Sequence, residues 1–166
     1  MRIGVLSDTH LRAPDDMLEY ILEEVLVHTD MLLHAGDIVT HRVLGRLEEN
    51  GVIAVCGNMD DYEVADALPM LRIVPAAGKR IGLIHGWGSK DGLAERILVR
   101  FGNDRPDLIV FGHSHVPFWG LVHGTYMFNP GSASQNRYSG ASTVGLIEIV
   151  DDEMTGSILT LKRPPT

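Results

Sequence analysis

Met1-Arg2-Ile3-Gly4-Val5-Leu6-Ser7-Asp8-Thr9-His10 joins an apolar run of strand length directly to two side chains that bind cations. The same grammar recurs downstream. Gly36-Asp37, Gly57-Asn58, His85-Gly86 and Gly112-His113-Ser114-His115 each follow a short aliphatic stretch, so the chain repeatedly leaves a strand on Asp, Asn or His beside a glycine or a second such residue. In open α/β sheets the loops at the carboxyl ends of the strands collect along one edge and form a crevice. The strands expected on this pattern are residues 2–6, 31–34, 52–55, 79–85 and 108–111.

Between them the apolar spacing turns helical. Met17, Leu18, Ile21, Leu22, Val25 and Leu26 line one face, and Pro14, Asp15 and Asp16 supply an early proline and N-terminal negative charge, which predicts a helix from near Pro14. Thr40 is the expected N-cap of a second helix carrying Val43, Leu44 and Leu47, while Leu93, Ile97, Leu98 and Phe101 mark a third. After Gly112 the segments 118–122, 126–128, 143–150 and 156–161 are separated by short turns at His123-Gly124 and Asp151-Asp152-Glu153, the look of antiparallel sheet. Two packed sheets flanked by helices follow. The 166 residues, 45% hydrophobic and without linker or repeat, predict a single domain spanning 1–166.

Composition narrows the function classes. A net charge of −8, from 22 acidic against 14 basic residues, leaves no general footprint for nucleic acid or an anionic membrane, and no apolar stretch reaches spanning length. The single cysteine, Cys56, excludes an internal disulfide and a zinc ribbon and fits a reducing cytoplasm, the expected location. The partner expected is a small molecule, with homo-oligomerisation left open. Asp8, His10, Asp37, Asn58, His85, His113 and His115 brought to one crevice would repel or stay undersolvated without cations between them. Oxygen and imidazole donors suit Mn²⁺, Fe, Zn²⁺ or Ni²⁺, and the number of donors suffices for a binuclear site.

These blocks resemble the calcineurin-like metallophosphoesterase superfamily, whose pattern is D-x-H, G-D, G-N-[H/C]-D/E, a lone H and G-H-x-H. The match runs from Asp8 to His115, and Asn129-Pro130-Gly131-Ser132 resembles a further block of its small bacterial and archaeal phosphodiesterase branch. The resemblance implies a four-layer α/β/β/α sandwich of two mixed sheets. It also implies that Asp8, His10 and His115 hold one metal, that Asn58, His85 and His113 hold the other, and that Asp37 bridges both. Catalysis is expected to depend on Asp37, Asn58 and His85. The implied activity is hydrolysis of small phosphodiesters through a metal-bridging hydroxide, with two divalent ions, Mn²⁺ first and Ni²⁺, Zn²⁺ or Fe as alternatives. The superfamily also contains a retromer subunit of the same fold that serves chiefly as a binding platform, so the rival reading is a weakly active or inactive metal-binding scaffold.

Chemistry supports these residue types independently. One bridging carboxylate holds two ions roughly 3.5–4 Å apart, a spacing at which both grip one phosphoryl group. Asn58 donates a neutral oxygen, so its ion keeps more positive charge. His113 and His115, alternate residues on extended chain, reach separate ions only if the chain bends, for which Gly112 is the expected hinge. One position departs from the family pattern. Met59 stands where a histidine or cysteine follows Gly-Asn, and a thioether has no proton to give a leaving oxygen, help worth roughly 10²–10⁴ in rate.

The other polar residues carry less. His34 reads as a packed structural histidine, and with Asp60 it is the nearest substitute proton donor. Asp60 and Asp61 are weighed equally between orienting ligands and capping a helix over 62–68. Arg137 either contacts phosphate or is solvated, and His28, His41 and His123 read as surface or turn residues. Cys56 reads as a buried core thiol. Phe118 and Trp119 either wall the cleft or start a core strand, and the tail 163–166 is expected to fray.

Overall fold

In the computed structural model, which describes residues 1–134 and 141–162, the apolar runs become two five-stranded sheets packed face to face. The first contains β1 (Arg2–Leu6), β2 (Met31–His34), β3 (Ile53–Ala54), β9 (Thr143–Val150) and β10 (Glu153–Thr160), in the order β10-β9-β1-β2-β3. The second contains β4 (Leu71–Ala76), β5 (Lys79–Ile84), β6 (Leu108–Val110), β7 (Phe118–Val122) and β8 (Thr125–Asn129), in the order β4-β5-β6-β8-β7. Both sheets are mixed: β1, β2 and β3 run parallel, as do β5, β6 and β8, whereas β9 is antiparallel to both β1 and β10, β4 to β5 and β7 to β8. Helices α1 (Asp16–Tyr20), α2 (His41–Glu49) and α3 (Tyr62–Ala67) cover the first sheet, and α4 (Leu93–Phe101) covers the second. This is the four-layer α/β/β/α sandwich.

Side-chain alternation explains why both faces of the central strands are dry. Ile3, Val5, Leu33, Ile81, Leu83, Leu108, Val110 and Phe128 point between the sheets, and all are fully buried. Each contributes about 1.5–3 kcal/mol relative to exposure. Intervening residues meet the helices: Leu6 joins Leu18, Ile21, Leu26, Val43 and Leu47, whereas Ile84 and Ile109 join Leu93, Ile97 and Leu98. A strand buried on both sides has no polar positions to alternate, so the runs read as continuous apolar stretches.

Several local features differ from the sequence expectation. The first helix starts at Asp16 because Asp15, extended at φ −128°, caps it by accepting the Leu18 N–H at 2.9 Å. It continues as a single π turn, Ile21–Val25, closed by Leu26 N–H on Ile21 O, which keeps Leu26 in the core. Thr40 occupies the N-cap position of α2, but its hydroxyl donates to Arg12 O at 3.1 Å instead of capping. Strand β4 is an addition: Pro75 hides it in the sequence and is tolerated there because β4 is an edge strand. The C-terminal strands form two separate hairpins and not one antiparallel sheet. The hairpin β7–β8 extends the second sheet with β8 parallel to β6, while β9–β10 extends the first. Three two-residue turns, Ala77-Gly78, His123-Gly124 and Asp151-Asp152, have positive φ at both central positions, the turn geometry whose twist matches a hairpin.

Candidate metal centre

Strands β1, β2, β3, β5 and β6 all deliver their carboxyl ends to one edge of the sandwich, and all seven candidate ligands lie in the loops that leave them. The backbone there is unusual. Asp8, His10, Asp37, His113 and His115 have φ between 49° and 67°, and Val39 reaches 89°. Left-handed conformations at residues with a Cβ cost on the order of 1 kcal/mol or more each and concentrate at functional sites. His113 and His115 thus supply the bend themselves, with Ser114 N–H closing a tight turn onto Gly112 O at 2.8 Å. Gly112 serves another purpose: a Cβ on it would overlap the Ser7 hydroxyl and the Asp8 carboxylate. A Cβ on Gly57 would likewise overlap Asp37.

Hydrogen bonds clamp these strained turns. Asp8 N–H donates to Gly36 O and His10 N–H to Asp37 O, while the buried Ser132 hydroxyl donates to Asp8 O at 2.8 Å. Asn129 donates to Gly112 O at 2.8 Å and to Ser114 Oγ at 3.1 Å, so the Asn129-Pro130-Gly131-Ser132 block holds both the first and the last ligand loop. Asp60 and Asp61 divide the two roles weighed for them. Asp60 accepts from Val39 N at 2.6 Å and Gly57 N at 2.7 Å, whereas Asp61 caps α3 by accepting from Val64 N at 3.0 Å.

Two clusters of donor atoms face the crevice. In the first, His10 Nε2 and His115 Nε2 lie 3.1 Å apart, and Asp8 Oδ1 lies 3.1 Å from His115 Nε2 and 3.7 Å from His10 Nε2. Two ligand atoms each about 2.1 Å from one ion and about 90° apart would be separated by about 3.0 Å. Asp8 Oδ1 is fully buried and accepts no hydrogen bond, although Oδ2 accepts from Ser7 Oγ at 2.5 Å and His113 N at 3.1 Å. An orphaned buried carboxylate oxygen facing two imidazole nitrogens fits a divalent cation.

In the second cluster, Asn58 Oδ1 lies 2.9 Å from His113 Nδ1 and 3.2 Å from His85 Nε2. The remaining ring nitrogens are committed elsewhere: His85 Nδ1 donates to Ala35 O at 2.7 Å, and His113 Nε2 donates to Gly88 O at 2.8 Å. In the neutral rings those bonds leave a lone pair facing the crevice, the usual way a protein orients a metal-binding histidine. Between the clusters sits Asp37. Its Oδ2 is 3.6 Å from His10 Nε2 and 3.3 Å from His85 Nε2, and its Oδ1 is fixed by Met59 N–H at 2.8 Å. Asp8, His10 and His115 offer donor atoms within 4.8 Å of one another, as do Asp8, Asp37 and His85.

The electrostatics follow from this crowding. Burial disfavours the charge on Asp8, but the His10, His115 and His85 imidazoles and the Ser7 hydroxyl together hold its carboxyl well below the usual range. Asp37 is also lowered, with burial outweighed by His85 and the Met59 N–H. Burial opposes the charge on His85 too, yet its bond to Asp37 and the nearby Asp8 leave it raised. Burial pushes His34 down to about 3. This imidazole accepts from Gly36 N on Nδ1 and meets Thr9 Oγ1 on Nε2, a packed histidine in the strand end.

Other candidates resolve as follows. His28, His41 and His123 are exposed. Cys56 is half-buried and its thiol is raised by burial and by Asp60, so it stays protonated. Trp119 stacks on Tyr126 with ring centroids 5.1 Å apart and packs on Phe128, a core role. Arg137 and the tail 163–166 lie outside the described residues. The sequence reading missed Arg12 and Lys90, which line the cleft of about 620 Å³ beside the ligands. It also missed Arg96, whose guanidinium donates to the carbonyls of Trp87, Ser89 and Asp91 and so holds the loop that presents Gly88 O to His113. Its position on α4, outside every ligand block, carries no local signal.

Among the described residues no helix is long and apolar enough to cross a membrane. Residues 1–152 match the sequence model of the calcineurin-like phosphoesterase superfamily domain. A probable metallophosphoesterase of Methanocaldococcus jannaschii is 30% identical over 168 residues, covering 98% of this chain and 83% of the relative. The fold is similar to that of an archaeal phosphodiesterase, with a TM-score of 0.71 at 23% identity over 96% of this chain and 100% of that one. It is similar also to Vps29 of Chaetomium thermophilum, with a TM-score of 0.74 at 17% identity over 99% of this chain and 96% of that one. The donor set at the strand ends and the match over nearly the whole chain agree: this protein belongs to the calcineurin-like phosphoesterase superfamily.

Proposed function

We propose that the chain is a single-domain, cytoplasmic phosphodiesterase that uses two divalent metal ions, Mn²⁺ foremost, to hydrolyse small phosphodiesters. Asp8, His10 and His115 would hold one ion, Asn58, His85 and His113 would hold the other, and Asp37 would be shared between them. The observation that carries this reading is Asp37 Oδ2, which faces a nitrogen of each cluster at 3.6 Å and 3.3 Å. When bound, the cations supply Lewis acidity that activates water at neutral pH and neutralises charge developing on phosphoryl oxygens. The chain's own residues do the positioning. Met59 N–H fixes the shared carboxylate, and Arg12 and Lys90 place positive charge on the cleft wall for an anionic substrate.

Proton donation to the leaving group is the weak step. The Met59 side chain lines the cleft without a transferable proton, His34 is buried with both ring nitrogens engaged, and Asp60 spends both oxygens on backbone N–H groups. The leaving oxygen therefore departs as an anion or takes its proton from water. Metal analysis of the purified protein, combined with turnover of a panel of mono- and diesters before and after chelation, tests the reading. Metal-dependent turnover of aryl diesters, with log rate falling steeply as leaving-group pKa rises, is expected, and Met59→His is expected to raise alkyl-ester rates more than aryl. Turnover unaffected by chelation overturns it, and metal-dependent stability with no ester hydrolysed replaces it with the scaffold reading.

A further inference from the structure

A second cavity adjoins the metal cleft and shares Asn58 with it. It holds about 180 Å³ and is lined by Cys56, Met70, Leu71, Ile84 and Trp87, together with Arg100 and the candidate ligand His85. Its surroundings are unlike those of the cleft, where Arg12, Lys90, Ser114 and Ser134 line the wall. Large apolar side chains stand in solvent at its mouth: Met70 is 77% exposed and Trp87 42%. Exposed apolar surface beside a polar reaction site marks a place where a ligand is meant to be covered. The Arg100 guanidinium makes no hydrogen bond or ion pair with any described residue, so it is available to a ligand.

Resting on the phosphodiesterase reading, we infer that this cavity receives a planar aromatic ring carried by the phosphoester, a nucleobase or aryl group, while the phosphoryl group occupies the metal cleft. Size favours a ring, because an apolar cavity of about 150 Å³ already accommodates benzene. Chemistry favours a planar one: indole and guanidinium both lie against π faces, and the polarizable sulfurs of Met70 and Cys56 pack well at ring edges. An extended alkyl chain would forgo these contacts, and a sugar hydroxyl placed against Leu71 and Ile84 would go without a partner.

Phosphonates test this without catalysis, since their P–C bond is not an ester. Binding of phenylphosphonate and methylphosphonate to the Mn²⁺-loaded protein is measured by calorimetry. Phenylphosphonate is expected to bind about tenfold tighter. Trp87→Ala and the cavity-filling Leu71→Trp are expected to bring that ratio toward one while leaving methylphosphonate affinity unchanged. Equal affinity of the two phosphonates for the natural sequence, or an equal loss of both in Trp87→Ala, overturns the inference and leaves the phosphodiesterase reading standing. If neither phosphonate binds the metal-loaded protein, it is the phosphodiesterase reading that fails. The cavity is then judged by the Trp87 indole NMR signal on titration with benzyl alcohol: a saturable shift retains the aromatic site, and no shift removes it.

Discussion

The two donor clusters are built on different principles. Around Asn58, His85 and His113 the protein has already fixed the rings, since Ala35 O and Gly88 O take the protons that would otherwise make the tautomers ambiguous. Around Asp8, His10 and His115 it has instead left a debt: Asp8 Oδ1 is buried without a hydrogen bond, and two imidazole nitrogens face each other at 3.1 Å. The first kind of site is organised without any ion. The second would be completed only by a cation, and it is the half whose metal removal should be felt by the fold.

Asp37 is the residue common to both, so its loss should have the largest effect. Asp37→Ala is expected to abolish at least one metal and reduce ester turnover by more than about a thousandfold, read by metal content and kinetics together. Two ions at full occupancy with normal turnover would remove Asp37 from its role. Single substitutions should then split by cluster: His85→Ala and His113→Ala weaken one ion, while His10→Ala and His115→Ala weaken the other. Anomalous scattering at each position distinguishes this from an indiscriminate loss.

The unsatisfied oxygen gives a stability test. Chelation should lower the melting temperature, because an ion at a hundred times its dissociation constant adds about 2.7 kcal/mol through linkage. In Asp8→Asn that shift should fall by more than half, whereas in Asn58→Ala it should fall less. Equal reductions in the two variants would erase the contrast between the clusters.

Arg96 probes the organised half from a distance. Arg96→Ala frees the loop 87–91, loosens Gly88 O from His113, and is expected to weaken the ion held by His113 by about 10-fold or more while sparing the other. Arg96→Lys, which keeps the charge but loses the fork, should recover little of it. Equal weakening of both ions would make Arg96 a general stabiliser.

The smallest effect concerns His34, beneath both clusters. With its folded pKa pushed to about 3 against an ordinary 6.5, the unfolded chain binds a proton between those values that the folded chain does not. The stability contribution of the neutral ring is therefore complete above pH 6.5 and is lost as pH falls from there toward 3, by up to about 1.4 kcal/mol per pH unit. Urea midpoints of the metal-free protein at pH 7 and 5.5 should differ more for the natural sequence than for His34→Gln. An identical pH dependence in the two would show that the imidazole is not held neutral.

The residues of the candidate site were nameable from the sequence because each candidate ligand belongs to a short block whose signal is local: an apolar run, then Asp, Asn or His beside glycine or a second such residue. Strands buried on both faces were equally legible, since β1, β2, β5 and β6 need no polar alternation. Tertiary structure alone decided the rest. It assigned the hairpins β7–β8 and β9–β10 to different sheets, a matter of long-range pairing that period-2 patterning cannot express. It paired β4 with β5 despite Pro75, because only an edge position tolerates a missing N–H. It made Gly112 a point of close approach to Ser7 and Asp8, more than a hundred residues away in the chain. The sequence by itself determined which atoms can bind a metal ion. Their orientation depends on Ala35, Gly88 and Asn129, whose hydrogen bonds exist only once distant strands have met, and the cavity beside Asn58 exists only as the space those strands leave between them.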